Sequence, residues 1–149
     1  KLKSLDLTIP FMMDGYPRKI NQAHDYEEIL SSLNLSVDKV IFINIDKETG
    51  LKRILGRATC PQCKRTYNLL TGYNTPKNAN LCDECNVELI TRTDDTKEAY
   101  EKRYDIYMTE TAPVIEYYRS LGKLITIDGT KEPEITLSNL ETLLGVKNG

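Results

Sequence analysis

The chain has 149 residues, and its hydrophobic fraction of 40% is ordinary for a globular protein with a buried core. Its 22 acidic residues slightly outnumber its 20 basic residues, so no overall positive field favours nucleic acid, and any anion must be bound by locally placed arginines. The sequence shows no leader in which Lys or Arg precedes an apolar run, and no apolar run of membrane-spanning length. We therefore expect a cytoplasmic protein without membrane or nucleic-acid partners.

The chain begins with a predicted strand and helix. Phe11-Met12-Met13 is a short apolar run that ends at Asp14-Gly15, which predicts a buried strand followed by a turn. Apolar residues then recur at spacings of three and four over residues 20–33. This period predicts an amphipathic helix that ends at Asn34.

A second strand and helix follow. Residues 39–45 form a nearly continuous β-branched and aromatic run, which is typical of a parallel strand covered on both faces. Asp46 is then placed to cap a helix over residues 47–55. This helix leads directly to the first cysteine pair.

All four cysteines lie in two Cys-x-x-Cys pairs that are separated by eighteen residues. The pairs are Cys60 with Cys63 and Cys82 with Cys85, and turn-rich sequence surrounds each of them. This spacing predicts a closed structural zinc site, with a disulfide pair, an iron site or unligated thiols as the alternatives. Few aliphatic residues lie between the pairs, so we expect metal binding to supply the folding free energy of this small module.

The second half of the chain returns to alternating helices and strands. Thr96 begins a long predicted helix that reaches about Leu121 and is bent or divided at Pro113. Residues 124–127 read as another buried strand, and residues 132–144 as the last helix. The pattern on either side of the cysteines indicates an α/β fold with a parallel sheet into which the cysteine module is inserted.

This organisation predicts three segments. Residues 1–56 and 94–149 would form two parts of one core, and residues 57–93 would form the inserted cysteine module. An insertion held by two stretches of chain can act as a lid. We call the two places where the chain enters and leaves this module, residues 53–57 and 92–95, the neck.

Arginines are concentrated at strand ends and at the neck. Arg53 and Arg57 are four residues apart, so we expect them to share a helix face and to address one polyphosphate. Converging arginines without a matching run of acids favour phosphate binding over a solvated salt-bridge surface, although surface charge is the alternative for any single one. Five of the seven arginines belong to this set: Arg18, Arg53, Arg57, Arg92 and Arg103.

The motifs outside and inside the module, taken in order, resemble adenylate kinases of the long, zinc-bearing bacterial type. They are Asp14-Gly15-Tyr16-Pro17-Arg18 with Gln22, Arg53-x-x-Gly56-Arg57, the four cysteines, Arg92-x-Asp94-Asp95, Arg103, Thr111-x-Pro113 and Ile127-Asp128-Gly129-Thr130-Lys131. The resemblance runs from about residue 11 to residue 144. It implies a partial P-loop-kinase-like parallel sheet with helices, and a small zinc-binding LID domain that closes over the nucleotides.

The resemblance also implies a reaction, ATP + AMP = 2 ADP, and a role for individual residues. The residues implied in catalysis are Asp14, near magnesium, and Arg18, Arg53, Arg57, Arg92 and Arg103. Those implied in AMP binding are Gly15, Tyr16, Pro17, Arg18, Gln22, Arg92 and Arg103. Those implied in ATP binding are Arg53, Arg57, Thr66, Tyr67 and Lys131. Structural Zn²⁺ would be held by Cys60, Cys63, Cys82 and Cys85, and Mg²⁺ would arrive with ATP.

One feature of the family is missing from this sequence. No glycine-rich run precedes a Lys-Ser/Thr pair, so the P-loop that would cradle the β-phosphate is absent. The chain therefore resembles the C-terminal two-thirds of an adenylate kinase. We expect negligible kinase activity from this chain alone, and partial folding or self-association of the isolated chain, whereas the complete enzyme would be a monomer.

Two other functions remain open from sequence. A non-catalytic zinc ribbon that binds nucleic acid or protein is supported by Lys64, Arg65 and Tyr67 near the first cysteine pair. A kinase of the UMP/CMP type is disfavoured, because that branch usually has a short lid without cysteines.

Overall fold

A computed structural model of the protein describes residues 9–145, so the outer limits of the predicted core segments, residues 1 and 149, lie outside it. The described chain contains five helices with a π-helical turn and five strands, in two small sheets. In chain order they are α1 (Ile20–Ser32), β1 (Val40–Asn44), α2 (Lys47–Leu55), β2 (Arg57–Thr59), β3 (Thr66–Asn68), β4 (Ile90–Thr91), α3 (Lys97–Ile106), the π turn (Tyr107–Thr111), α4 (Ala112–Ser120), β5 (Leu124–Asp128) and α5 (Pro133–Leu144).

The core sheet is parallel, as the sequence predicted. Strands β1 and β5 pair in register from Val40 opposite Leu124 to Asn44 opposite Asp128. Their carboxyl ends therefore lie side by side, and the Gly129 amide donates to the Asn44 carbonyl at 2.8 Å just beyond them. The α/β class and the parallel sheet are confirmed.

The predicted strand at Phe11-Met12-Met13 is wrong. These residues are irregular, and their exposures are 39%, 81% and 41%. A strand needs a neighbour that satisfies its backbone groups, and among residues 9–145 the strands β1 and β5 pair only with each other. For the same reason β1 is not covered on both faces: Ile43 is 51% exposed.

Helices α1 and α4 pack against this sheet. Ala23 of α1 lies against Val114 and Tyr118 of α4, and all three are buried. Val40 and Leu124 are neighbours on the paired strands β1 and β5, and both pack against this cluster. The periodic apolar face predicted for residues 20–33 is therefore the face that makes this core.

The long helix is divided just before Pro113, as predicted. Proline has no amide hydrogen, so the regular ladder of hydrogen bonds cannot continue through this position, and the turn before it widens to π-helical geometry. Gly122 then ends α4 with a φ of +67°, a left-handed conformation that glycine adopts without strain.

Side-chain caps fix the starts of two helices. Asp46 accepts a hydrogen bond from the Thr49 amide at 2.8 Å, and Thr96 accepts one from the Ala99 amide at 3.1 Å. The sequence predicted the Asp46 cap and a helix that begins at Thr96, and both are confirmed.

The cysteine module has its own sheet and core. Strand β2 lies between β3 and β4 and is antiparallel to both. Its core is one cluster of five buried residues, two of which are cysteines: Ala58, Cys60, Tyr67, Cys82 and Leu89. No helix within residues 9–145 is long and apolar enough to cross a membrane.

Candidate functional site

The two cysteine pairs fold into turns of the same design. In the first, the Lys64 amide donates to the Cys60 carbonyl at 3.1 Å and the residue after the second cysteine, Lys64, has a φ of +63°. In the second, the Asn86 amide donates to the Cys82 carbonyl at 2.8 Å and Asn86 has a φ of +52°. The tight turn expected for each pair is therefore present, and we call the two turns the knuckles.

The knuckles bring four sulfur atoms together. The Sγ atoms of all four cysteines lie within 4.8 Å of one another, and those of Cys63 and Cys82 are 3.6 Å apart. A zinc ion with bonds of about 2.3 Å to four thiolates places its sulfurs about 3.8 Å apart, so the cluster has the size and the donor set of a structural zinc site. All four cysteines are free thiols, which disfavours the disulfide alternative. Cys60 and Cys82 are buried, whereas Cys63 is exposed.

The electrostatics of the sulfur cluster favour a cation. Hydrogen bonding by Tyr67 is the main reason why the pKa of Cys82 falls to about 6. The neighbouring thiol of Cys63 and burial raise the pKa of Cys85 to about 12. The thiol of Cys85 is therefore harder to ionise beside its neighbours, and a metal ion that balances the charge would favour four thiolates.

Asp95 is the centre of a second cluster, at the neck. Its carboxylate accepts two hydrogen bonds from Arg57, at 2.8 Å from Nε and 2.6 Å from Nη2, and its side chain is only 3% exposed. This guanidinium holds the pKa of Asp95 below its ordinary value, and the positive charges of Arg92 and Arg103 lower it further. Asp95 therefore forms an ion pair with Arg57, and two more of the predicted arginines lie close enough to act on its charge.

The predicted shared helix face of Arg53 and Arg57 is wrong. Helix α2 ends at Leu55, and Arg57 already belongs to β2. Gly56 ends the helix at a place where a side chain would collide with Asn68, which also donates to the Arg53 carbonyl at 2.9 Å. The two arginines consequently turn to different partners.

Arg53 turns toward the end of the parallel sheet. Its guanidinium donates to the carbonyl oxygens of Gly129 at 2.6 Å, Lys131 at 2.8 Å and Thr130 at 3.2 Å, and lies over the ring of Tyr73. Arg53 thus ties the cysteine module to the loop after β5, where the carboxyl ends of the core strands meet.

Two clefts lie near the module and the neck. One of about 470 Å³ lies between the module residues Tyr73 and Asn74 and the first turn of α5, immediately after Lys131. The other, of about 380 Å³, lies at the neck and is lined by residues 90–94, including Arg92. The first cleft therefore has module residues on one side and core residues on the other.

The segment from Asp14 to Gln22 is held by its own hydrogen bonds. Arg18 donates from Nε to the Gly15 carbonyl at 2.8 Å, and its backbone amide donates to the Gln22 side chain at 2.9 Å. Thr111 of the π turn donates to the Arg18 carbonyl at 3.0 Å. Tyr16 donates to the Gln22 carbonyl at 3.3 Å, and the Tyr16–Pro17 peptide is cis. This segment therefore lies against the π turn, and the side chain of Arg18 bonds within it and not to Asp95.

The other two module residues implied in ATP binding, besides Arg57, lie in different environments. Thr66 is exposed on β3, whereas its neighbour Tyr67 is 3% exposed in the module core. Sequence reasoning missed Tyr73, Asn68 and the central position of Asp95. Only Asp95 carried a signal, because it stands in the Arg92-x-Asp94-Asp95 motif.

The fold and the site together define an α/β protein with a tetracysteine insertion and an arginine-lined neck. Residues 1–123 match the family model described as adenylate kinase, and the chain belongs to the adenylate kinase family. The resemblance drawn from the motifs is therefore confirmed.

Curated proteins named adenylate kinase match nearly all of this chain, but they are longer than it is. The adenylate kinase of Alkaliphilus oremlandii is 41% identical over 145 residues, which are 97% of this chain and 66% of that protein. The adenylate kinase of Kosmotoga olearia is 44% identical over 147 residues, covering 96% of this chain and 67% of that protein. That of Methanosarcina acetivorans is 38% identical over 144 residues, with 97% and 66% covered. The chain thus spans about two thirds of the length of these relatives.

Proposed function

We propose that the protein to which this chain belongs is a phosphotransferase that converts ATP and AMP reversibly into two ADP. The observation that carries this proposal is the bidentate pairing of Arg57 with Asp95 at the neck, where the charges of Arg92 and Arg103 also act on that carboxylate. Phosphoryl transfer requires charge neutralisation and positioning more than covalent help, and guanidinium groups that already face one anion can receive another.

In this proposal Asp95 holds the arginines in place for the phosphates. Arg57 meets Asp95 through two hydrogen bonds, the geometry with which a guanidinium binds a phosphate. We therefore assign Arg53 and Arg57 to ATP, together with Thr66 and Lys131. We assign Arg18, Arg92 and Arg103 to AMP and to the transferred phosphoryl group, with Gly15, Tyr16, Pro17 and Gln22 around AMP. The side-chain oxygen of Gln22 is bonded to Arg18, so its amide nitrogen is the group left to donate to a base.

The metal ions have separate parts. Zn²⁺ held by the four cysteines would order the cysteine module, and Mg²⁺ would neutralise the phosphates of bound ATP. Asp14 is exposed beside Gly15, and one carboxylate suits Mg²⁺, which keeps several of its waters. Residues 57–93 would move as a lid against the core segments 1–56 and 94–149 and exclude water from the reaction.

We further propose that these 149 residues alone turn over no nucleotide at a measurable rate. The sequence contains no Gly-x-x-x-x-Gly-Lys-Ser/Thr motif, so nothing in it supplies the nitrogen-rich cradle for the β-phosphate.

Exposed apolar residues such as Met12 and Ile43 would favour self-association of the isolated chain, whereas the complete enzyme would be a monomer. Four cysteines that are grouped to hold a metal ion, and not paired in disulfides, are consistent with a cytoplasmic location.

Binding to a dinucleotide polyphosphate, in which two adenosines are joined through their phosphates, tests the phosphate site directly. We expect Arg57→Ala to weaken its binding by the 149-residue chain about tenfold, which corresponds to about 1.4 kcal/mol. Arg119→Ala is the matched control, because Arg119 lies at the exposed end of α4 and pairs with Glu116. Equal binding by all three proteins would refute the assignment.

The same protein preparation also distinguishes the kinase from the alternative function, a zinc ribbon that binds nucleic acid. A nucleic-acid-binding zinc ribbon would retain DNA or RNA on a filter through Lys64 and Arg65. In the structure Arg65 pairs with Glu84 of the other knuckle at 2.9 Å, which neutralises part of that basic surface. Retention of nucleic acid without binding of the dinucleotide would favour the ribbon and overturn the kinase proposal.

A further inference from the structure

Tyr67 occupies an unusual place between the two knuckles. It lies on β3, just after the first knuckle, and its ring is buried in the module core. Its hydroxyl oxygen reaches the second knuckle, where it lies 3.0 Å from the Asp83 amide nitrogen and 3.5 Å from Sγ of Cys82. One side chain therefore connects the strand of the first knuckle with a predicted metal ligand of the second.

The direction of these two hydrogen bonds follows from the donors available. The Asp83 amide can only donate, so the hydroxyl oxygen of Tyr67 is the acceptor of that bond. The Arg65 guanidinium also interacts with this hydroxyl but can only donate, so the single proton of the hydroxyl is left for Sγ of Cys82. The geometry thus makes Tyr67 a donor to the sulfur.

We propose that Tyr67 is a positioning residue of the metal centre, which orients the Cys82 thiolate by donating a hydrogen bond to it. This inference rests on the proposed zinc site, and it gives Tyr67 a different task from the ATP contact implied by the family resemblance. A hydrogen bond to a bound thiolate fixes the direction of its lone pairs and withdraws charge from the sulfur. Groups that hold metal ligands in this way commonly change metal affinity about 10-fold to 100-fold when they are removed.

The burial of Tyr67 makes the hydroxyl and the ring separable by mutation. Tyr67→Phe keeps the ring in the core with Ala58 and Leu89 and removes only the oxygen. Tyr73→Phe is the matched control, because Tyr73 belongs to the same module but its ring lies beside Arg53, away from the sulfur cluster. A difference between the two variants therefore reports the hydroxyl beside Cys82.

Cobalt provides a readout that packing alone would not change. We expect wild-type and Tyr73→Phe chains loaded with Co²⁺ to show the same sulfur-to-cobalt charge-transfer band. In Tyr67→Phe the band should move to lower energy, because a thiolate that has lost its donor holds its electrons less tightly. Release of the metal to excess EDTA should also be about tenfold faster in Tyr67→Phe than in the control. An unchanged band together with release rates within twofold would overturn the proposal.

A second measurement does not depend on the folding of a variant. In a crystal structure of the zinc-loaded wild-type chain, the hydroxyl oxygen of Tyr67 should remain within hydrogen-bond distance of Sγ of Cys82. A separation beyond about 4 Å would overturn the proposal, since no hydrogen bond spans that distance. Failure of the wild-type chain to take up cobalt would instead refute the metal centre itself. The two failures are therefore distinguishable.

Discussion

Replacing Asp95 by asparagine should lower the free energy of unfolding of the chain by about 2 kcal/mol at neutral pH. The carboxylate is 3% exposed and accepts two hydrogen bonds from Arg57, and bonds to a charged group contribute about 1.5–3 kcal/mol. Asparagine keeps one acceptor oxygen but presents an amide group to the guanidinium in place of the other. Since the Arg57 side chain is 30% exposed, water solvates part of its charge, and we take the lower half of that range.

The lowered pKa of Asp95 determines how its contribution to the free energy of unfolding changes with pH. Arg57 holds the pKa of Asp95 below its ordinary value in the folded chain. The ionised carboxylate therefore contributes stability that is fully present above the unfolded-state pKa of about 3.9 and is lost as the pH falls through the lower folded-state pKa. The difference between wild type and Asp95→Asn should be constant near neutral pH and shrink only in acid.

Thermal and urea denaturation measure the difference. For a domain of this size, about 2 kcal/mol corresponds to a fall of about 4–8 °C in melting temperature. Asp94→Asn is the matched control, because Asp94 is the exposed carboxylate next in sequence. The ion pair would not be the source of the stability if Asp94→Asn lowered the free energy of unfolding as much as Asp95→Asn does. The same conclusion would follow if the difference between wild type and Asp95→Asn remained unchanged in strong acid.

Three further predictions test other parts of the structure. Asp46→Ala should cost about 1 kcal/mol in chemical denaturation, since it removes the cap of α2, whereas alanine at exposed Lys47 should cost little. Gly56→Ala should cost about 1–3 kcal/mol, because the added methyl group would press on Asn68; a neutral result would show that the neck can relax. Chelation of the metal should remove amide hydrogen-exchange protection from residues 57–93 while α4 stays protected, and equal loss in both regions would contradict a separately ordered module.

Local signals in the sequence predicted the helices and the knuckles well. Asp46 and Thr96 cap their helices by contacts with residues three positions later, so the sequence alone contained both partners. The knuckles depend on four-residue turns in the same way. These features could be predicted because their hydrogen bonds close within a few residues.

Features that depend on distant partners could not be read in this way. The run at residues 11–13 has strand composition, but a strand forms only where another strand accepts its hydrogen bonds. The spacing of Arg53 and Arg57 suggested one helix face, but the helix ends at Gly56, where the distant Asn68 takes the Arg53 carbonyl as its hydrogen-bond acceptor. Asp95 pairs with a residue 38 positions earlier, and no local pattern indicates which arginine it meets.

The short strands of the cysteine module explain how a distant metal can matter to the arginines. Strand β2 runs from Arg57 to Thr59, directly before Cys60, and it pairs with β4, which ends one residue before Arg92. Strands of two and three residues do not persist by themselves in water, so their pairing depends on the knuckles that anchor them. A metal that fixes the knuckles would therefore fix the separation of the two stems, and with it the pairing of Arg57 with Asp95. In the proposed reaction the zinc would act only through this geometry, by keeping the neck arginines positioned for phosphate.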